Sequence, residues 1–307
     1  MSLHEIKVPV AVAAAEVIEN ALAAAENADW GVFEDRPTAS AWLGGYFASK
    51  ATGDAALRRL RQGLRGVAEL GRAARRAMPD ADWREAYKAH FKPWRSGRLH
   101  WVPVWERVAY VLPAGDVAVW LDPGMAFGTG NHETTRLCCE RLVAFAAQPG
   151  NSNFENRNSK LGTQNPSLRV IDAGCGSGIL AISAAQLGFT KIVGFDNDPA
   201  AVAVSRENAA LNGVDAEVEL FAGDLVTGLH GRRADLVMAN ILADVLRRFA
   251  RELVSAVAPG GWLVLSGILA TEIADVRRDF ATVARGWANE SRTLGEWADL
   301  KLVRPGR

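Results

Sequence analysis

The chain is poor in cysteine and carries no excess of either charge. Cys138, Cys139 and Cys175 are the three cysteines among 307 residues. Two are adjacent and the third lies in a glycine-rich stretch, so they do not make the paired framework of a disulfide-stapled secreted domain. Buried or turn thiols in a reducing compartment are expected instead. No Cys/His cluster has zinc spacing, and no metal is expected. Lys plus Arg and Asp plus Glu number 35 each, for a formal net charge of zero. Bulk charge therefore draws no nucleic acid to the protein, and direct nucleic-acid binding is not expected, although a local patch stays open. Arg58, Arg59, Arg61, Arg65, Arg72, Arg75 and Arg76 form one such basic stretch, read here first as a solvated face. No run of about 18 apolar residues exists, so no membrane span is expected. Glu5, Lys7 and Glu16 do not suit a signal peptide, and a cytoplasmic protein is expected. No G-x-x-x-x-G-K-S/T stretch occurs, which removes the P-loop reading. Against these absences, a hydrophobic content of 49% and a charged content of 23% suit a globular protein with a sizeable core.

The most informative stretch is Val170-Ile171-Asp172-Ala173-Gly174-Cys175-Gly176-Ser177-Gly178. An apolar strand ends in Asp172, glycines follow at alternate positions, and Ile179 to Ala185 opens a helix. A strand running through a glycine turn into a helix is how α/β sheets hold nucleotide-like ligands. The pattern is D-x-G-x-G-x-G rather than the dinucleotide G-x-G-x-x-G. The next strand, Lys191 to Phe195, ends at Asp196, whose carboxylate can accept hydrogen bonds from two ribose hydroxyls. This pair of features resembles motif I and the acidic loop of class I S-adenosylmethionine methyltransferases. A nicotinamide cofactor and a purely structural turn are the competing readings.

Residues 1–78 read as a small α+β domain of β-α-β-β-α order, the start of a ferredoxin-like fold. Its helix from about Asp54 is expected to be capped by that residue. A fourth strand should follow, yet residues 67–78 have helical propensity and the strand cannot be placed. Residues 79–98 are expected to be a linker that includes a short helix, and 99–307 a second domain. Within it, residues 147–168 hold five asparagines and read as a flexible surface insertion. From 169 onward strand and helix signals alternate, which predicts a parallel, doubly wound sheet, closed by strands at 287–293 and 296–303.

Two further motifs carry chemistry. Leu121 to Thr135 is a glycine-rich loop with hydroxyls and one aromatic, suited to a pocket wall; a helix cap at Thr134 is the bland alternative. Met238-Ala239-Asn240-Ile241-Leu242-Ala243 ends a strand where many amino-methylating enzymes have Asn-Pro-Pro-Tyr/Phe. There the Asn side chain orients a neutral amine; capping a helix from about Ala243 is the alternative. His132 can shape the loop before it.

Together, Leu121–Thr135, Val170–Gly178, Asn240–Ala243 and Leu265–Ala270 resemble the ribosomal protein L-eleven methyltransferase (PrmA) family, over roughly 82–303. The resemblance implies a Rossmann-like class I methyltransferase domain beside the smaller ferredoxin-like domain. It implies S-adenosyl-L-methionine as cofactor and N-methylation of lysine and N-terminal amino groups of a ribosomal protein, free or ribosome-bound. The amino-terminal domain would recognise the substrate. Cofactor contacts are expected at Phe127, Gly128, Thr135, Asp172, Gly174, Gly176, Gly178, Asp196, Asp224 and Asn240, with Asn240 also catalytic. Glu133 departs from the family, which usually has Pro or Gly there. The amino-terminal domain is the least similar part, so a related methyltransferase acting on another protein or a small molecule is the alternative.

Overall fold

The computed structural model describes residues 3–24, 29–35, 40–78, 92–121, 132–148 and 168–306. The chain divides into two compact units, Met1–His90 and Phe91–Arg307.

The first unit runs β1 (Leu3–Val10), α1 (Ala15–Ala24), β2 (Gly31–Asp35), β3 (Ser40–Phe47), α2 (Lys50–Gly63) and β4 (Ala74–Met78). Its strands pair in the antiparallel order β2-β3-β1-β4. Alternate residues of β1 and β3, among them Ile6, Val8 and Leu43, pack with Ile18, Leu57 and Leu60 of the helices, as a half-covered sheet requires. The missing fourth strand is β4, inside the segment whose composition favours a helix. Pairing along β1 from Leu3–Met78 to Lys7–Ala74 satisfies its backbone and overrides a propensity worth only tenths of a kcal/mol per residue. The cap of α2 also differs from expectation. Ser49 is extended and accepts from Thr52 N, while Thr52 returns a bond to the Ser49 backbone, a reciprocal capping box. Asp54 lies inside the helix and accepts instead from Arg75 Nε of β4 at 2.9 Å.

The second unit begins with β5 (Trp94–Ser96), β6 (Leu99–Pro103) and β7 (Val117–Leu121), a three-stranded sheet. Residues 94–96 thus belong to a sheet rather than to the expected linker. Trp94 stacks on Trp101 at 4.0 Å, and that contact gives the segment a partner. The expected short helix at 79–90 and most of the Asn-rich stretch lie outside the described residues. After α3 (Glu133–Ala146) come β8 (Arg169–Ala173), α4 (Ile179–Gln186), β9 (Lys191–Asp196), α5 (Pro199–Leu211), β10 (Val218–Ala222), α6 (Leu225–Leu229) and β11 (Ala234–Asn240). Then follow α7 (Ala243–Arg248), α8 (Ala250–Ser255), β12 (Val257–Leu269), α9 (Ile273–Val283), β13 (Ala288–Leu294) and β14 (Trp297–Val303).

The seven-stranded sheet has the order β10-β9-β8-β11-β12-β14-β13. Strands β8 to β12 are parallel, and β14 and β13 close it antiparallel. Both faces are covered, so the inner strands are apolar on both sides. Leu236 and Met238 pack toward α3 and α4. Val237 and Ala239 pack toward α7, α8 and α9. Strand order reverses between β8 and β11, and in such sheets the crevice at the carboxyl ends beside that reversal is where ligands bind.

Candidate functional site

The glycine stretch follows β8 at this reversal. Gly174, Gly176 and Gly178 have φ of 75°, 52° and 78°, a region that side chains with a Cβ enter at a cost. A Cβ on Gly174 would stand 2.5 Å from Ile241 Cγ2, and one on Gly178 2.9 Å from Ser205 Cβ. The turn is tied down by its own backbone. The amides of Gly174 and Cys175 both donate to Phe195 O at 2.9 Å, and Gly178 N donates to Cys175 O. Gly178 opens α4 in the left-handed conformation.

Asp196, at the end of β9, is half-buried beside this turn. Its Oδ2 accepts from Gly176 N at 2.9 Å and its Oδ1 from Asp198 N at 3.0 Å. Those two bonds orient the carboxylate and leave lone pairs on both oxygens. Asp224 follows β10 and caps α6, accepting from Val226 N and Thr227 N. The Thr227 backbone and hydroxyl hold its carboxyl below the usual range.

Asp172 lies beneath the turn, fully buried. Its Oδ2 accepts from Ala181 N at 3.0 Å, and its Oδ1 has no partner among the described residues. Burial pushes this carboxyl up to about 7; the Ala181 amide opposes that and the Asp196 charge adds to it. Its bond to the Ala181 amide ties the turn to α4. The cysteines are all buried and unpaired, and burial pushes their thiols well up.

The other side of the crevice is built from distant segments. Asn240 ends β11, and its Nδ2 donates to Thr135 Oγ1 of α3 at 3.3 Å. Its Oδ1 is buried with no partner among the described residues. The helix-cap alternative fails, because the cap of α7 is Leu242 and makes no side-chain bond. Thr134 is not a cap either. His132 takes that position, its ring accepting from Thr134 N, and its Nδ1 meets Thr134 Oγ1 at 2.8 Å. The His132 ring packs edge-on against Trp297 at 5.0 Å. Ser266 Oγ of β12 donates to Thr134 O, which locks α3 to the sheet. Phe127 and Gly128 lie outside the described residues.

Several supporting residues left no local signal in the sequence. Ile241 covers Gly174, and its backbone runs against Gly267, where a Cβ would meet Ile241 O at 2.3 Å. Asp299 of β14 is fully buried and accepts two bonds from Arg141 of α3, at 2.8 and 3.0 Å. It also accepts from Arg292. Lys301 first and then Arg141, by hydrogen bonds, hold the Glu290 carboxyl down to about 2. This network joins residues about 150 positions apart and anchors the helix that carries Thr135.

The sheet order, the glycine turn after its first parallel strand and the carboxylate ending its second define a class I methyltransferase fold. A family described as ribosomal protein L11 methyltransferase (PrmA) matches residues 4–305, and the chain belongs to that family. A ribosomal protein L11 methyltransferase of Geobacter metallireducens is 43% identical over 222 residues, covering 72% of this chain and 66% of that protein. One of Pelobacter propionicus is 39% identical, covering 92% and 89%. The match thus spans just under two thirds of the first relative and most of the second. A crystal structure of a ribosomal protein L11 methylase from Lactobacillus delbrueckii subsp. bulgaricus aligns with a TM-score of 0.57 at 29% identity, covering 70% of this chain and all of that one. Among the described residues no helix is long and apolar enough to cross a membrane.

Proposed function

We propose that this protein is an S-adenosylmethionine-dependent N-methyltransferase acting on lysine and N-terminal amino groups of ribosomal protein L11 in the cytoplasm. The observation that carries the reading is the Oδ1 of Asn240, buried and unpartnered among the described residues. A buried acceptor without a donor costs about 1–3 kcal/mol, and a bound N–H offsets that cost. Nδ2 is engaged by Thr135 Oγ1, and Oδ1 is the open atom. The glycine turn offers a backbone cradle and Asp196 an oriented carboxylate, which fits a ligand with an adenosine and an amino-acid end. Gly174, Gly176, Gly178, Asp196, Asp224, Thr135 and Asn240 would hold it, with Phe127 and Gly128 from the adjoining loop. The cofactor, once bound, supplies an electrophilic methyl on a sulfonium.

Attack requires a neutral amine, and a free lysine has a pKa of about 10.4. Its proton leaves to solvent before or during entry. Asn240 Oδ1 accepts one remaining N–H and so aims the nitrogen lone pair. Once methylated, the amine would release its second proton to solvent. Rate then comes from positioning and exclusion of water. The first unit serves as the substrate-recognition domain. Names of the relatives support the substrate.

The test is transfer of radiolabelled methyl to purified ribosomal protein L11, free and in assembled subunits. Labelling is expected, reduced roughly 100-fold in Asn240→Ala as misplacement of the amine predicts. No labelling with intact cofactor binding by calorimetry would redirect the search to another protein or a small molecule. Absence of cofactor binding would remove the methyltransferase reading itself.

A further inference from the structure

Two exposed leucines of the second unit lie at the carboxyl ends of the adjacent strands β11 and β12. Leu242, two residues beyond Asn240, is 67% exposed, and Leu269, at the end of β12, is 39% exposed. Leu269 stands directly opposite Trp297 in the antiparallel β12–β14 pair, so the two side chains share a face of the sheet. Trp297 packs on His132, which caps α3, and α3 carries the Thr135 that holds Asn240. Leu269, Trp297 and Asn240 therefore stand on the α3 face. Asn240 is in register with Ser266. Three further residues at a rise of about 3.3 Å place Leu269 at most roughly 10 Å beyond it, the reach of one long side chain and the backbone bearing it.

We infer that Leu242, Leu269 and Trp297 form an apolar collar for the methylene stem of the target lysine, whose amine reaches Asn240. The inference rests on the amine-methylating reading above and deepens it. A lysine stem is apolar along its length, and once its head is neutral the whole side chain suits an apolar channel. Each methylene withdrawn from water contributes about 0.8 kcal/mol, so contact with two of them is worth about tenfold in specificity. An α-amino group has no such stem. The collar therefore separates the two kinds of target: it assists lysine and leaves the chain terminus to docking elsewhere.

The test uses Leu242→Ser, Leu269→Ser and the double variant. Both positions are exposed, so folding should be little altered, and the unfolding midpoint checks that. Two forms of ribosomal protein L11 serve as probes, one with its terminus acetylated and one with every lysine replaced by arginine. The double variant should lose about tenfold in kcat/KM toward the lysine-bearing form. It should stay within about twofold toward the free terminus, with cofactor affinity unchanged. Equal losses on both forms, or none on either, would overturn the collar. If the wild-type enzyme labels neither form, the amine-methylating reading of this substrate falls first, and the collar with it.

Discussion

The two halves of the crevice are built by different means. The glycine half is local: Gly174 to Asp198 supply the turn, the oriented carboxylate and most of the bonds that hold them. Its polar groups are largely backbone amides and carbonyls. The acceptor half is assembled from α3, β11, β12 and β14. Its open acceptor, Asn240 Oδ1, belongs to an amide bonded to a threonine 105 positions earlier in the chain. The contrast separates two problems. Cradling a cofactor needs close backbone approach, which glycine in a short stretch can give. Aiming one amine needs a side chain held from several sides, which only packed elements can provide.

The sharpest way to break the comparison is Asp299→Ala. It leaves the buried guanidinium of Arg141 without its two-bond partner, a loss of about 3–5 kcal/mol in urea unfolding. Where the variant still folds, methyl transfer should fall by a larger factor than cofactor affinity, because α3 carries Thr135. An equal fall in both would mean that the halves are not separable. Gly174→Val addresses the other half. A positive φ and an approach of 2.5 Å to Ile241 are together worth about 3 kcal/mol, so cofactor affinity by calorimetry should drop roughly 100-fold. Unchanged affinity would deny the turn its role as cradle.

The smallest effect concerns Asp172, which underlies the turn. Its folded pKa is raised from 3.8 to about 7, so the folded state holds more protons than the unfolded chain between those values. Stability contributed by this group is therefore present at the acid end and is lost as pH rises toward 7. Asp172→Asn keeps an acceptor for Ala181 N and cannot ionise. The thermal midpoint of the variant relative to wild type should climb by a few degrees from about pH 4 to pH 7. A flat difference would mean that the carboxyl is not shifted. A large fall in cofactor affinity would mark Asp172 as a direct contact.

Much of this architecture is legible in one chain. The alternation after residue 169 marks a doubly wound sheet, because buried parallel strands must be apolar and must alternate with helices. The closing strands at 288–294 and 297–303 lie where their patterns fall. The strand at 74–78 was hidden, because Ala, Arg and Met favour helix when no neighbour is considered. The cap of α2 is hidden for a related reason: Ser49 and Asp54 are both good caps, and the entering backbone geometry chooses between them.

By itself the sequence determined the α/β class, the glycine turn and the position of the carboxylate that ends the second parallel strand. Each follows from residues close together, where sterics and the strand and helix periods act without knowledge of the rest. Only the tertiary structure decided that Asp172 lies beneath the turn and that Asn240 Oδ1 stands open. The same holds for Asp299, which anchors α3, and for Leu269 beside Trp297. Burial and hydrogen-bond satisfaction depend on what packs from elsewhere in the chain, and no local pattern carries that information.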